Sequence, residues 1–183
     1  MTPFACRNAA RYVQQGKVIA YPTEAVFGLG CHPLDAAAVK QILKIKQRPV
    51  RKGLILIASD FSQLRPYVAE VAEDLLKQAF STWPGPNTWL FPKNPFTPYW
   101  LTGDFNTIAV RVSAHPVVRD LCDAAGTALV STSANRSQQE PARTSLECRL
   151  KQLGVDMIVN GQVDFSARPS VITDLVSGRV IRT

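Results

Sequence analysis

Basic residues crowd one short stretch of the sequence and indicate anion binding. Five lysines and arginines, and no acidic residue, lie between Lys44 and Lys52. An apolar stripe at helical spacing begins at Val39, and Lys46 lies on that stripe seven residues later. An amine on the inward face of a helix points into the protein, so we expect Lys46 to face a cleft.

The cluster divides into cations expected to bind a ligand and cations expected to be solvated. Most charged runs are solvated, and we apply that interpretation to the outer cations Lys44 and Arg51. For Lys46, Arg48 and Lys52 we favour a site for phosphates or carboxylates. An apolar run that is typical of a buried strand follows directly and would anchor this site to the core.

A second polar group follows another predicted strand. Residues 128–130 are apolar, and four of the next five residues, Ser131 to Asn135, carry hydrogen-bonding side chains. Polar side chains directly after a buried strand are typical of ligand sites in open α/β sheets. The alternative is ordinary capping and turn chemistry, which serine and asparagine perform routinely.

The segment 22–30 offers a hydroxyl and two glycines. We expect Pro22 to end a strand and Thr23 to present its hydroxyl, while Gly28 and Gly30 permit close approach of a ligand to the backbone. Alternatively, the two glycines only shape a bend. The spacing matches neither the dinucleotide-binding fingerprint nor the Walker A loop.

A charge interrupts the apolar strand predicted over residues 107–112. Burying Arg111 there is costly unless an anion pairs with it, which suggests a ligand. The alternative is an edge strand whose Arg111 face meets solvent. The residues alone leave both interpretations open.

Periodicity, prolines and glycines predict the elements that must hold these residues. Asp35 is a plausible N-cap, and Pro49 disfavours the helical conformation at Arg48, so the helix that carries Lys46 should stop there. The predicted helices cover residues 5–15, 36–46, 68–80, 116–125 and 144–153. The predicted strands cover residues 17–21, 54–58, 88–91, 107–112, 128–130, 157–159, 171–173 and 180–182. Their irregular alternation predicts an α/β fold of the α+β type, a single domain over residues 1–183 with helices against a twisted, mixed parallel and antiparallel sheet.

Composition limits the class of partner. With 21 basic and 14 acidic residues the net charge is +7, and this favours nucleotides, nucleic acid or an acidic membrane surface. No apolar run approaches the ~20 residues of a membrane span, and the first residues do not resemble a secretory signal. The four cysteines are far apart and there are two histidines, so we expect reduced thiols, no protein metal site and a cytoplasmic location.

Several short motifs occur in order along most of the chain, from about Lys17 to Asp174. They are Tyr21-Pro-Thr-Glu24, Lys46-Gln-Arg48-Pro, Lys52-Gly-Leu, Trp83-Pro-Gly-Pro, Ala109-Val-Arg-Val112 followed by His115-Pro, Ser131-Thr-Ser-Ala-Asn135, and Pro169-Ser170. This ordered set resembles the YrdC family, which makes threonylcarbamoyl-AMP for tRNA modification, in its short single-domain form. The resemblance implies a YrdC-like fold.

The resemblance also implies a nucleotidyltransferase whose substrates are L-threonine, bicarbonate or carbon dioxide, and ATP. The products would be threonylcarbamoyl-adenylate and pyrophosphate, and downstream tRNA-modification proteins would use the adenylate to make N6-threonylcarbamoyladenosine. Mg²⁺ would enter with ATP and keep several waters, with no protein metal cage. No side chain stands out in the sequence as a general base.

The resemblance assigns roles to particular residues, with Lys46 and Arg48 as the catalytic pair. The candidate nucleotide-binding residues are Lys46, Arg48, Ser131, Ser133, Asn135 and Arg143. The candidate substrate-binding residues are Thr23, Lys52, Arg111 and Ser170. Arg143 belongs to the segment 141–145, which we expect to close over the site, and it either contacts a phosphate or is solvated. Two positions depart from the family: 136–141 lacks a Ser-Gly common in relatives, and Val171 replaces a common threonine.

Two other functions stay open at this point. A module that binds tRNA or double-stranded RNA without turnover fits the net charge, although no RRM or KH signature occurs. Weak RNA binding could also accompany the enzyme activity. A phosphosugar enzyme of similar fold is a third interpretation, because fold does not fix function.

Overall fold

The structure is a computed structural model and describes residues 2–182. These residues form one nine-stranded sheet with helices packed against it. The strands are β1 (Ile19–Pro22), β2 (Phe27–Gly30), β3 (Ile55–Ala58), β4 (Asn87–Pro92), β5 (Thr107–Val112), β6 (Leu129–Ser133), β7 (Met157–Ile158), β8 (Val171–Asp174) and β9 (Val180–Arg182). The α-helices are α1 (Pro3–Gln14), α2 (Ala36–Lys46), α3 (Glu73–Phe80), α4 (Tyr99–Thr102), α5 (Pro116–Ala125) and α6 (Ser145–Leu150). The strand order is β7-β1-β2-β6-β3-β5-β4-β8-β9.

The sheet is mixed, as the sequence predicted. Neighbours β1 and β7, β3 and β5, and β4 and β8 run parallel. The remaining neighbours run antiparallel. This confirms the predicted class, an α+β arrangement in which helices pack against a mixed sheet.

Both faces of strand β1 are covered. Ile19 and Tyr21 pack in one apolar cluster with residues of α1 and α5. Ala20, which lies between them, packs in the other cluster with residues of α2. Alternate residues of a strand point to opposite faces, so strands covered on both sides are apolar throughout.

The helix that precedes the basic cluster follows its sequence signals. The Asp35 carboxylate accepts a hydrogen bond from the backbone N–H of Ala38 at 2.9 Å, which confirms the predicted N-cap. The helix α2 ends at Lys46, before Pro49, as expected. No helix within residues 2–182 is long and apolar enough to cross a membrane.

The prediction of a helix over 68–80 is wrong at its start. Val68 forms an isolated antiparallel bridge with Lys93, so backbone pairing beside β4 replaces the first helical turns. The helix begins at Glu73, where an acidic first turn complements the helix dipole. The helix α6 is likewise shorter than the predicted 144–153.

The segment expected to be a loop or bend contains strand β2. The strand β1 ends at Pro22, as expected, and Pro22 is still in register with Phe27 as the last pair of the β1–β2 ladder. A Cβ on Gly30 would lie 2.6 Å from the Tyr21 ring, so the glycine lets that ring cover the strand. Two glycines in a four-residue strand remove the side-chain alternation by which a strand is recognised in a sequence.

Candidate anion-binding site

A cavity of about 590 Å³ lies where the ends of several strands meet the end of α2. Segments distant in the sequence converge on it: the β1–β2 turn, the turn after α2, strands β5 and β6, and the chain around β8 and β9. The predicted residues that line it are Thr23, Lys46, Arg48, Lys52, Arg111, Ser131, Ser133, Asn135 and Ser170. Its size is typical of small-molecule and cofactor sites.

Lys46 is buried and held by oxygen atoms of two residues. Its Nζ donates to the Ser133 carbonyl at 2.7 Å and to the Asn135 side-chain oxygen at 2.9 Å. The Ser133 hydroxyl and the Asn135 carbonyl lie 3.3 and 3.2 Å from the same nitrogen. Burial, and then the nearby Arg48 charge, lower the pKa of Lys46 to about 8. Lys46 points inward as predicted, and its hydrogen bonds also hold Ser133 and Asn135 at the end of β6 in place.

The polar segment after β6 is further ordered by its own side chains. The Ser133 hydroxyl donates to the Asn135 side-chain oxygen at 2.6 Å. The Asn135 amide donates to the carbonyls of Arg136 and Gln139 at 2.9 and 2.6 Å. Capping and turn chemistry, the alternative interpretation of this segment, is thus present, and it occurs at the wall of the cavity.

Arg48 is held against the turn that follows it. Its Nε and Nη2 donate to the Gly53 carbonyl at 3.1 and 2.9 Å, and Nη2 also donates to the Lys52 carbonyl at 2.9 Å. Burial, and then the charge of Arg182, lower the pKa of Arg48. Lys52 lines the rim of the cavity with an exposed side chain. The outer cations Lys44 and Arg51 are exposed, as expected.

Arg111 lies deep in the cavity and is paired. Strand β5 lies between β3 and β4, so the edge-strand interpretation of Arg111 is wrong. Its Nη2 lies 3.1 Å from Glu24 Oε2, and the side chains are 10% and 16% exposed. The sequence places Glu24 in the Tyr21-Pro-Thr-Glu24 motif but does not indicate its role. Its pairing with Arg111 cannot be predicted from neighbouring residues, because the two partners are far apart in the chain.

The sequence interpretation also missed Arg182, in the last strand. Its Nη2 donates to the Ser170 carbonyl at 2.9 Å and to the Ser170 hydroxyl oxygen at 3.3 Å. The hydroxyl of buried Thr88 donates to that same oxygen at 2.9 Å. Thr88 and Arg182 thus hold the Ser170 hydroxyl in place at the cavity wall. Burial, and then the charge of Arg111, lower the pKa of Arg182.

Two of the predicted site residues, Thr23 and Arg143, use their polar groups in hydrogen bonds to backbone carbonyls of the protein. The Thr23 hydroxyl donates to the Val26 carbonyl at 2.7 Å and so closes the β1–β2 turn at the cavity wall. Arg143 is outside the cavity lining. Its Nη2 donates to the Phe165 carbonyl at 2.8 Å, and its guanidinium lies 4.7 Å from the centre of the Phe165 ring. A phosphate contact by Arg143 stays a prediction, without support from this arrangement.

The charge of the lining selects anions. Among the described residues that line the cavity, Glu24 is the one carboxylate. The cations of the lining are Lys46, Arg48, Lys52, Arg111, Arg168 and Arg182. The burial of Lys46 and Arg111 and the mutual repulsion of the lining cations cost free energy, which an anionic ligand would relieve. The fold and the cavity together define an α+β protein with a cleft for small anionic ligands.

Comparison with known proteins then gives the family. The Sua5/YciO/YrdC family model, described as "Telomere recombination", matches residues 11–183. The chain belongs to the Sua5/YciO/YrdC family. A threonylcarbamoyl-AMP synthase of Alkalilimnicola ehrlichii is 52% identical over 184 residues, which cover 98% of this chain and 95% of that protein.

Solved structures agree on the fold. The P. abyssi Sua5 structure in complex with L-threonine is 31% identical with a TM-score of 0.90, and the match covers 98% of this chain. This chain spans about half of that longer protein, 53% of its length. E. coli YciO is 29% identical with a TM-score of 0.81, and the match covers 99% of this chain and 89% of YciO.

Proposed function

We propose that the chain is a threonylcarbamoyl-AMP synthase. It joins the amine of L-threonine to carbon dioxide with loss of a proton, or to bicarbonate with loss of water, and an oxygen of the resulting carbamate attacks the α-phosphorus of ATP. Pyrophosphate leaves, and threonylcarbamoyl-adenylate remains for the N6-threonylcarbamoyladenosine modification of tRNA. The relative in A. ehrlichii, 52% identical over almost the full length of both chains, carries this enzyme name and supports the assignment.

The observation that carries the proposal is the convergence of cations from distant parts of the chain on one cavity. Lys46 and Arg48 come from the end of α2, Arg111 from the middle of the sheet and Arg182 from the last strand. The reaction joins two anions and builds negative charge on phosphate oxygens. Fixed cations in a site that excludes water stabilise such charge strongly, because little reorganisation is needed as the reaction proceeds.

The residues divide the work by position. Lys46 and Arg48 serve as the catalytic pair and hold the nucleotide phosphates. Ser133 and Asn135 donate to protein acceptors before the ligand arrives, and they exchange these hydrogen bonds for phosphate oxygens when the nucleotide binds. Arg111 and the Ser170 hydroxyl serve the threonine part, since a guanidinium suits a carboxylate and a hydroxyl can donate to one. Thr23, Lys52 and Ser131 line the same cavity and complete the contacts.

Mg²⁺ is proposed to arrive with ATP. The one carboxylate among the described lining residues, Glu24, is engaged by Arg111 and by Ser113, so the lining offers poor ligands for a hard cation. Triphosphate oxygens and waters would hold the ion, as magnesium prefers. The ion would neutralise charge on the leaving pyrophosphate.

A small-molecule enzyme fits the cation placement better than an RNA-binding module does. Lys46 and Arg111 are only 7% and 8% exposed in a concave cavity, so a polynucleotide backbone has little access to them. Four further points stay predictions. They are weak tRNA or double-stranded RNA binding through the outer cations, a single domain spanning residues 1–183, delivery of the adenylate to downstream tRNA-modification proteins, and a cytoplasmic location.

An assay of pyrophosphate release with each component omitted in turn tests the proposal. Purified protein with ATP, Mg²⁺ and bicarbonate should release pyrophosphate only when L-threonine is added, because the attacking carbamate does not exist without it. L-Serine should react less well, since a pocket that packs the threonine methyl group gains roughly 1–3 kcal/mol. Release without threonine, or release that requires tRNA, would refute the proposal, and the second result would favour the RNA-binding class.

A further inference from the structure

Three side chains form a fixed chain of contacts at the deep end of the cavity. The Ser113 hydroxyl donates to Glu24 Oε1 at 2.6 Å. The other oxygen, Glu24 Oε2, lies 3.1 Å from Arg111 Nη2. Arg111 and Ser113 are two residues apart along β5 and its extension, so both side chains point to the same face of the sheet, where Glu24 meets them. The β1–β2 turn thus places the Glu24 carboxylate beside Arg111 of the distant strand β5.

We propose that Glu24 is a positioning residue, which fixes the guanidinium of Arg111 so that its remaining N–H donors face the threonine part of the substrate; this inference rests on the proposed function. Glu24 Oε2 is buried and makes no hydrogen bond within the protein, so its contact with Arg111 Nη2 at 3.1 Å is an ion pair, while Oε1 accepts a hydrogen bond from Ser113. The pairing of this carboxylate with Arg111 gives it a route to act on a ligand through the guanidinium. A planar guanidinium held at one end presents its other N–H groups in a defined direction.

The sign of the effect separates positioning from plain electrostatics. Glu24 is a negative charge beside a site for anions, so by Coulomb's law alone its neutralisation would strengthen the binding of a substrate carboxylate. If Glu24 positions Arg111, its neutralisation frees the guanidinium to take other rotamers and binding becomes weaker. The two explanations predict opposite changes in the KM for threonine.

Steady-state kinetics of Glu24→Gln, which keeps size and shape, measure that sign. We expect the KM for threonine to rise about tenfold or more, because small misplacements of a positioning group are costly, while the KM for ATP stays within about twofold. Glu73→Gln is the matched control, since Glu73 pairs with Lys77 at 3.0 Å on the exposed face of α3, away from the cavity. The control should match the wild type. A lower or unchanged KM for threonine in Glu24→Gln would overturn the inference.

A double-mutant cycle with Arg111→Lys tests whether Glu24 works through Arg111. Once the guanidinium is gone, adding Glu24→Gln should cause little further rise in the KM for threonine, because residues that act through one contact are not additive. Independent, additive effects would contradict a positioning role. The thermal midpoint of each variant, measured alongside, identifies any loss of folding.

Nitrogen-15 NMR of the arginine side chains provides a readout that does not depend on turnover. The Arg111 signals are assigned by their absence from Arg111→Lys. In the wild type, the ion pair should slow rotation of the guanidinium and keep its Nη signals separate, and in Glu24→Gln they should merge. Merged wild-type signals would refute the positioning inference, whereas a wild type with separate signals but no threonine-dependent turnover would refute only the proposed function.

Discussion

The basic side chains of the cavity are already held in place by the protein. Four oxygen atoms surround the Lys46 amine, and two carbonyls fix Arg48. Arg182 is tied to Ser170. Side chains ordered before binding lose little entropy when the ligand arrives, so more of their interaction energy is available for affinity and catalysis.

The pKa of Lys46 predicts how activity depends on pH. Its ordinary value of 10.5 is lowered to about 8, so the free enzyme loses this positive charge as the pH rises through that value. We expect kcat/KM for ATP to fall above about pH 8, since a neutral amine attracts phosphate less strongly, and kcat/KM reports groups of the free enzyme. Rates measured between about pH 6 and 10 give the profile.

An arginine at this position provides the control for the pH profile. The variant Lys46→Arg keeps its charge throughout the range, because a guanidinium is not deprotonated in proteins. Relative to its own rate at neutral pH, the variant should not show the fall. A wild-type profile that stays flat through pH 8, or a fall of the same shape in the variant, would contradict the charge role of Lys46.

At the scale of the elements, the turn between α2 and β3 sets the direction of the basic cluster. Gln47 has φ of +50°, a left-handed conformation that is unusual for a residue other than glycine and costs roughly 1–2 kcal/mol. It turns the chain sharply before Arg48. The turn then packs closely on the chain after α4, where a Cβ on Gly103 would lie 2.3 Å from the Arg51 carbonyl oxygen.

Alanine at Gly103 should disturb this turn. Because the added Cβ overlaps the backbone and φ is +59°, we expect Gly103→Ala to lower the free energy of unfolding by about 2–4 kcal/mol. Displacement of the turn should also weaken ATP binding through Arg48. Urea unfolding and calorimetric titration with ATP measure the two effects.

A second glycine separates the contact from the backbone conformation. Gly126 has a similar φ of +68°, but a Cβ there would meet nothing within 4 Å. Gly126→Ala should cost about 1–2 kcal/mol from its conformation alone and leave ATP affinity unchanged. Equal losses of stability in both variants, or unchanged ATP affinity in Gly103→Ala, would refute the account of this turn.

At the scale of the whole molecule, the sequence predicts what is local and misses what depends on strand order. The inward position of Lys46 follows from a helical stripe, and the end of α2 follows from Pro49. The pairing of Arg111 with Glu24 requires β5 to be interior, and the contribution of Arg182 requires β9 to reach the cavity. Neither is encoded by neighbouring residues. Strand β2 escaped detection because its glycines erase the alternation of side chains.

We propose that the whole cavity serves one condensation, in which carbon from bicarbonate joins threonine to the adenylate. The most direct measurement supplies purified protein with ATP, Mg²⁺, L-threonine and carbon-13 bicarbonate and weighs the nucleotide product by mass spectrometry. The account predicts threonylcarbamoyl-AMP that carries the label, formed together with pyrophosphate in equal amount and absent when threonine is withheld. Threonyl-adenylate without the carbamoyl carbon, an unlabelled product, or AMP formed equally well without threonine would contradict it.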